Sequence, residues 1–167
     1  MDATRATLAA AVVAAVAAVT SAVLSQPYFQ QKFIEPHFCD RTFELRVPVT
    51  GQSIEGRTGV VMTGRTCGFE PGEHHGWIFD FDPEDGTYYS VSAEPIESRE
   101  WALVNGPIGN RGDNRKRYAL VVFAADATCN RTLLDMIRQG DGETSFTRVP
   151  AGCREDDRRD IIVTYPR

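Results

Sequence analysis

Acidic side chains crowd one short stretch, DFDPEDG at 80–86, where Asp80, Asp82, Glu84 and Asp85 fall within six residues of one another. Oxygen donors at that density are what a calcium ion needs, and an EF-hand loop would place glycine sixth and a glutamate twelfth. Counted from Asp80, Gly86 is seventh and Val91 twelfth, so the spacing fails. Pro83 and Asp85-Gly86 instead occupy the places that a hairpin loop requires. The stretch is read as a turn whose tip could collect no more than a loose, weak cation.

Other reactive residue types are present without the spacing that would make them a site. CGFEPGEHHGW puts His74 and His75 seven and eight residues after Cys67, and His37 stands two before Cys39. Zinc sites announce themselves by CxxC or HxxxH pairs, and these are missing, so no metal and no cofactor is expected. His74 and His75 are read as solvated loop residues. Nucleophilic catalysis needs Ser or Cys beside a base that a third group orients. No GxSxG occurs, and Ser90, Ser92 and Ser98 fall in strand or turn contexts. RGD at 111–113 matches the tripeptide that integrins read, but NRGDN has the composition of a plain turn. The sequon Asn130-Arg131-Thr132 opens a helix beside Cys129, a poor place for a glycan. REDDRRD at 154–160 reads as a solvated loop before the last strand. Trp77, Tyr88, Tyr89 and Trp101 remain as candidate ligand-binding residues. They form an aromatic platform for glycan or peptide if exposed, and core if not, the commoner fate in a sandwich.

The opening of the chain bears on compartment. From Leu8 to Leu24 no residue is charged, and ten of the Ala residues fall within the first 22 positions. As a helix the run covers roughly 26 Å, a little short of a hydrocarbon core of about 30 Å. Arg5 precedes it and Gln26-Pro27 closes it, while Tyr28, Phe29 and Phe33 suit an interface. These flanks predict a transmembrane anchor with the bulk of the chain outside. A cleaved signal peptide is the alternative, since VTSA ending at Ala22 and VLS ending at Ser25 offer small residues to a peptidase. The expected division is a cytoplasmic N-terminus at 1–7, an anchor or signal at 8–25, a stalk at 26–42 and one folded domain at 43–167. Localisation is then the cell membrane, single-pass with the C-terminal domain outside, or secreted if the run is cleaved.

The net charge of −5 and the lack of a basic stripe exclude nucleic acid as an expected partner. Sixteen Arg against two Lys, with the Ala excess, suggest a GC-rich bacterial source. Cys39, Cys67, Cys129 and Cys153 are an even set behind an export signal and read as two disulfides, with three connectivities open. Cys39 with Cys67 and Cys129 with Cys153 is the favoured pairing, each bridge closing a loop of about 25 to 30 residues.

Period-two alternation marks the strands. FELRVPV places Phe43, Leu45, Val47 and Val49 on one face, with Pro48 suggesting an edge. GQSIEG reads as a turn. RTGVVMTGR, GWIFDF at 76–81, TYYSVS and SREWALV follow as strands, and KRYALVVFAA at 116–125 is apolar enough to be central. DATCNRTLLDMIRQG changes to a helical period, with Asp126 or Thr128 as cap and Gly140 as stop. DIIVTY closes the sheet. About seven short strands and one short helix predict an all-β antiparallel sandwich, preceded by the N-terminal hydrophobic helix.

The order of features resembles a known type. VMTG at 61–64, Gly76-Trp77, Tyr88-Tyr89, Trp101, Ile108-Gly109, YALVVFAAD at 118–126, VPAGC at 149–153 and a terminal IIVTY are similar to the immunoglobulin-like extracytoplasmic domain of actinobacterial membrane proteins of unknown role. The resemblance covers about residues 44–165 and implies an immunoglobulin-like sandwich. Its motifs are turns and core positions, and no catalytic residue comes with them. The expected function is therefore a membrane-anchored binding or structural module without catalysis, its partner a surface protein or a cell-wall glycan. A secreted carbohydrate- or cell-wall-binding module using exposed Trp and Tyr is one alternative. A small enzyme or inhibitor working through loops 64–76 and 105–115 is another.

Overall fold

A computed structural model describes residues 40–70, 72–104, 108–109 and 112–165. The hydrophobic run at 8–25, the stalk to residue 39 and Cys39 lie outside the described residues. Among the described residues no helix is long and apolar enough to cross a membrane.

The chain runs β1 (Thr42–Val47), β2 (Ser53–Glu55), β3 (Val61–Cys67), β4 (His75–Asp82), β5 (Thr87–Ser90), β6 (Glu100–Val104), β7 (Lys116–Ala125), α1 (Ala127–Gln139), β8 (Ser145–Phe146) and β9 (Cys153–Thr164). Two sheets form, a small one in the order β1-β3-β6 and a large one in the order β2-β9-β7-β4-β5-β8. Every pair is antiparallel except β2 with β9, which is parallel. The expected all-β sandwich with one short helix is thus present, with nine strands among the described residues where the alternation showed seven.

The two additional strands are too short to carry a period. SIE, read as part of a turn, is β2: after β1 the chain turns through Val49–Gln52 and pairs beside β9 in the other sheet. SF, at 145–146, is β8, pairing with Tyr88 and Tyr89.

β7 is apolar nearly throughout because it is covered on both faces. Tyr118, Leu120, Val122 and Ala124 face the small sheet and pack with Phe43, Leu45, Met62, Ile78, Trp101, Ile161 and Val163. Ala119, Val121, Phe123 and Ala125 face α1 and meet Trp77, Phe79, Leu133 and Ile137. Asp126 caps α1 by accepting from the N–H groups of Thr128 and Cys129, and Gly140 ends it. The Cys129–Cys153 disulfide joins the helix to the start of β9.

The largest departure from the sequence reading is REDDRRD. It is a strand: β9 runs from Cys153, so the whole charged stretch pairs with β7. A register shift between Val122 and Phe123 leaves Asp156 as the extra residue of a β-bulge. Bulges re-aim side chains, and here both Asp156 and Asp157 reach β1. Asp156 Oδ2 accepts from the Phe43 N–H at 2.8 Å and Asp157 Oδ2 from the Leu45 N–H at 2.8 Å. Arg159 donates to the Leu45 carbonyl and Arg154 to the Arg41 carbonyl. The stretch mixes charges and lacks an apolar face over its first half because Arg154, Asp156, Asp157 and Arg159 satisfy a neighbouring backbone.

Candidate functional site

The acidic stretch singled out by its composition does gather ionisable side chains from several elements of the described domain. β4 and β5 make a hairpin, with Asp80 opposite Tyr89 and Asp82 opposite Thr87. Its turn is held by the Glu84 N–H donating to Asp82 Oδ1, the Thr87 N–H donating to Asp85 Oδ1, and the Gly86 N–H donating to the Asp82 carbonyl. Gly86 takes φ +71°, the left-handed region that glycine enters without strain. The hairpin expected of DPEDG is the one found.

Strand alternation sets which acids go inside. Trp77, Phe79 and Phe81 point to the helix side, so Ile78, Asp80 and Asp82 point into the space between the sheets. Asp80 is 8% exposed and Asp82 6%. From β7, Lys116 and Tyr118 share that face. Lys116 Nζ stands 2.7 Å from Asp82 Oδ2, 3.1 Å from Glu84 Oε2 and 3.9 Å from Asp113 Oδ1. The Tyr118 hydroxyl donates to Asp113 Oδ2 at 2.7 Å, and the Tyr89 hydroxyl donates to Asp85 Oδ2 at 2.8 Å.

The electrostatics follow from this placement. Its hydrogen bond to Asp82 raises Lys116 above the ordinary lysine value, so the amine stays protonated and is neither base nor nucleophile. Burial, then the bond to Asp113, raises the Tyr118 phenol, and the Asp85 carboxylate raises that of Tyr89. Asp85 itself is lowered, chiefly by the Tyr89 hydroxyl. Asp80 is pushed up to about 7, first by burial and then by the charges of Asp82 and Asp85, against the hydrogen bond from its own backbone N–H. One lysine is thus shared among carboxylates that outnumber it. The arrangement can store a proton; among the described residues no three His, Cys, Asp or Glu are grouped so as to hold a metal ion. A shallow open groove of about 570 Å³ runs past the cluster, lined by Glu84, Asp113, Arg115, Lys116 and Arg117 among others.

The other candidate residues are dispersed. Trp77 is fully buried against α1, and its indole N–H donates to Asn130 Oδ1 at 2.9 Å, which gives the sequon asparagine a packing role. Trp101 is 6% exposed and lies on the opposite side of the large sheet, over Gly64, with its indole N–H unpartnered. Tyr88 is half-buried in an aromatic cluster with Phe81, Phe123 and Phe146. Tyr89 alone of the four is well exposed, at 39%. An aromatic platform of exposed Trp77, Tyr88, Tyr89 and Trp101 is therefore corrected: period-two alternation sends the two tryptophans into different cores.

His74 stacks on Phe69 at 4.5 Å, and His75 Nδ1 approaches Glu97 Oε1 at 3.3 Å without hydrogen-bond alignment. Neither is the freely solvated loop residue expected, since His75 opens β4 and both are half-buried. Cys67 is disulfide-bonded, and its expected partner Cys39 lies outside the described residues. Of the RGD tripeptide, Arg111 lies outside the described residues and Asp113 is turned inward to Tyr118. Of the loops at 64–76 and 105–115, residues 64–67 belong to β3 and 75–76 to β4, while 71, 105–107 and 110–111 lie outside the described residues.

What the sequence reading missed is a surface. Val47, Val49, Val61 and Val104 are exposed. Val61 and Val104 are direct cross-strand partners on the outer face of the small sheet, because Met62 and Leu103, the next pair, point inward. The signal was present as VV at 60–61 and LV at 103–104, where adjacent apolar residues must face opposite ways. No known protein family, curated protein or solved structure matches the chain.

Proposed function

We propose that the chain is a membrane-anchored extracytoplasmic module, held by residues 8–25, that acts by binding and not by catalysis, and that its binding element is the β6 edge of the small sheet. The observation that carries this reading is the unequal treatment of the two edges of that sheet. The β1 edge has its N–H and C=O groups taken by β9 side chains. Among the described residues no strand pairs with the outer edge of β6, and beside it stand Val104, 81% exposed, and Val61. An unpaired edge flanked by apolar side chains is a template for an extended segment of another protein, which adds as a further strand.

An immunoglobulin-like topology is the finer reading. It is supported by the orders β1-β3-β6 and β9-β7-β4-β5, which correspond to A-B-E and G-F-C-C′, and by a first strand that changes sheets between β1 and β2. Trp77 departs from that pattern, since it faces the helix instead of the inter-sheet core.

The test places a photo-reactive residue at Val104 or, as control, at Arg138 on the exposed face of α1, in the chain expressed in cells and recovered with membranes. Specific cross-links from Val104 and none from Arg138 are expected, with the protein in the membrane fraction. Equal labelling from both positions, or a hydrolytic activity of the purified chain lost on one polar substitution, overturns the proposal.

A further inference from the structure

Asp80 has no role in the binding proposal, and its position is costly. It is an acid on the core-facing side of a central strand, 8% exposed, with Leu120 opposite it on β7 and Tyr89 opposite it on β5. Buried carboxylates are retained with a cation or with several donors, because ionisation in such a place without them is strongly unfavourable. Lys116 is the cation of this cluster, and it is already engaged with Asp82, Glu84 and Asp113.

The ionisable groups gathered on this face are Asp82 on β4, Glu84 and Asp85 in the turn, Tyr89 on β5, Lys116 and Tyr118 on β7, and Asp113 before β7. From the small sheet, β6 presents Trp101 and Leu103 and β3 presents Met62 and Gly64, none of them ionisable. Among the described residues Asp80 therefore meets carboxylates from its own hairpin and no cation of its own.

We propose that the β4–β5 hairpin is a proton-responsive element: Asp80 is protonated when β5 is closed on the sheet, and its ionisation loosens β5 and, through it, β8. The rest of the fold is positioned to be indifferent. β5 is joined to the large sheet through β4 on one side and only the two-residue β8 on the other, whereas β7 and β9 pair over ten residues. The outer half of the hairpin is thus far less firmly held than β7 and β9 when a charge appears beneath it.

The direction follows from linkage. Asp80 holds its proton up to about pH 7 in the closed state and, once exposed, only to the ordinary carboxylate range. The closed state therefore binds the extra proton, and raising pH favours opening. Between pH 6 and pH 8 the opening equilibrium should shift by about tenfold, since each pH unit between the open-state and closed-state values adds a factor of about ten and the shift levels off above the closed-state value.

The experiment is hydrogen–deuterium exchange on the 167-residue chain in detergent at pH 6 and pH 8, corrected for intrinsic exchange rates, with α1 as internal reference. Peptides covering 87–90 and 145–146 are expected to lose about tenfold protection at pH 8 relative to α1, and Asp80→Asn to show the same protection at both pH values. Equal protection in the wild type at both pH values, or a loss that persists in Asp80→Asn, overturns the proposal. Should Asp80→Asn not fold, the carboxyl carbon of Asp80 is titrated by NMR in the wild type. A midpoint near neutrality supports the proposal, and one in the ordinary carboxylate range overturns it.

Discussion

The three-stranded sheet has two outer edges, and the molecule treats them in different ways. At β1 the backbone groups that face outward are met by Asp156, Asp157 and Arg159, reaching across from β9. At β6, among the described residues, no strand answers the outward-facing groups, and two valines stand beside them. The difference teaches that an edge can be closed without a strand. Two carboxylates placed by a bulge do the work that a hydrogen-bonded neighbour would do, and they leave a charged surface on which another chain cannot pair. Because one edge is closed at the expense of burying Asp156, whose side chain is 3% exposed, the open edge is not an inevitable by-product of the fold.

Both edges depend on Gly64, which partners Leu45 of β1 on one side and Trp101 of β6 on the other. A Cβ there would overlap the Trp101 ring and the Glu44 carbonyl. Gly64→Val is expected to have the largest effect, a loss of about 3 kcal/mol or more, read by denaturant unfolding. Stability within about 1 kcal/mol of wild type would mean that the two edges are not tied through β3.

Replacing both Cys129 and Cys153 by Ala separates instability from edge exposure. The bridge spans 24 residues, and its loss should cost roughly 3 kcal/mol. Sedimentation should find the variant no more associated than wild type, since neither edge is touched. Association equal to that of an edge variant would show that lowered stability alone drives it.

Asp157→Ala opens the β1 edge directly. It leaves the Leu45 N–H unpartnered and removes the ion pair to Arg159 at 2.9 Å, for about 2 kcal/mol. Here self-association is expected in addition, and a variant that is destabilised yet monomeric would show that β1 is guarded by something besides these carboxylates.

The smallest effect on stability is expected at the open edge. Val104→Lys should change unfolding free energy by less than about 0.5 kcal/mol, because the side chain is already in solvent. It should nevertheless abolish cross-linking from a neighbouring position on β6. Retained cross-linking would place the binding surface elsewhere.

Legibility in the sequence varied with how local the cause was. The hairpin at 82–86, the helix from Asp126 to Gly140, and β7 at 116–125 could be read because turn chemistry, capping and a long apolar run are properties of consecutive residues. The Cys129–Cys153 bridge followed from loop length. REDDRRD could not be read, since its mixed charges look like solvent-facing residues until β1 is placed beside them. Trp77 could not be assigned to the inter-sheet core or to the helix side either, because both faces of β4 are covered, one by the small sheet and one by α1.

By itself, then, the chain determined that this would be a β-rich sandwich with one helix, a hairpin where the acids crowd, and an even set of cysteines, because those depend on local periodicity and residue type. Only the tertiary structure decided that one acid of the hairpin is buried with the lysine already engaged, that a charged stretch would seal one sheet edge, and that the other would stay open. Those outcomes depend on which strands become neighbours across more than a hundred residues of sequence, as Leu45 and Asp157 do, and no pattern within a single strand encodes that.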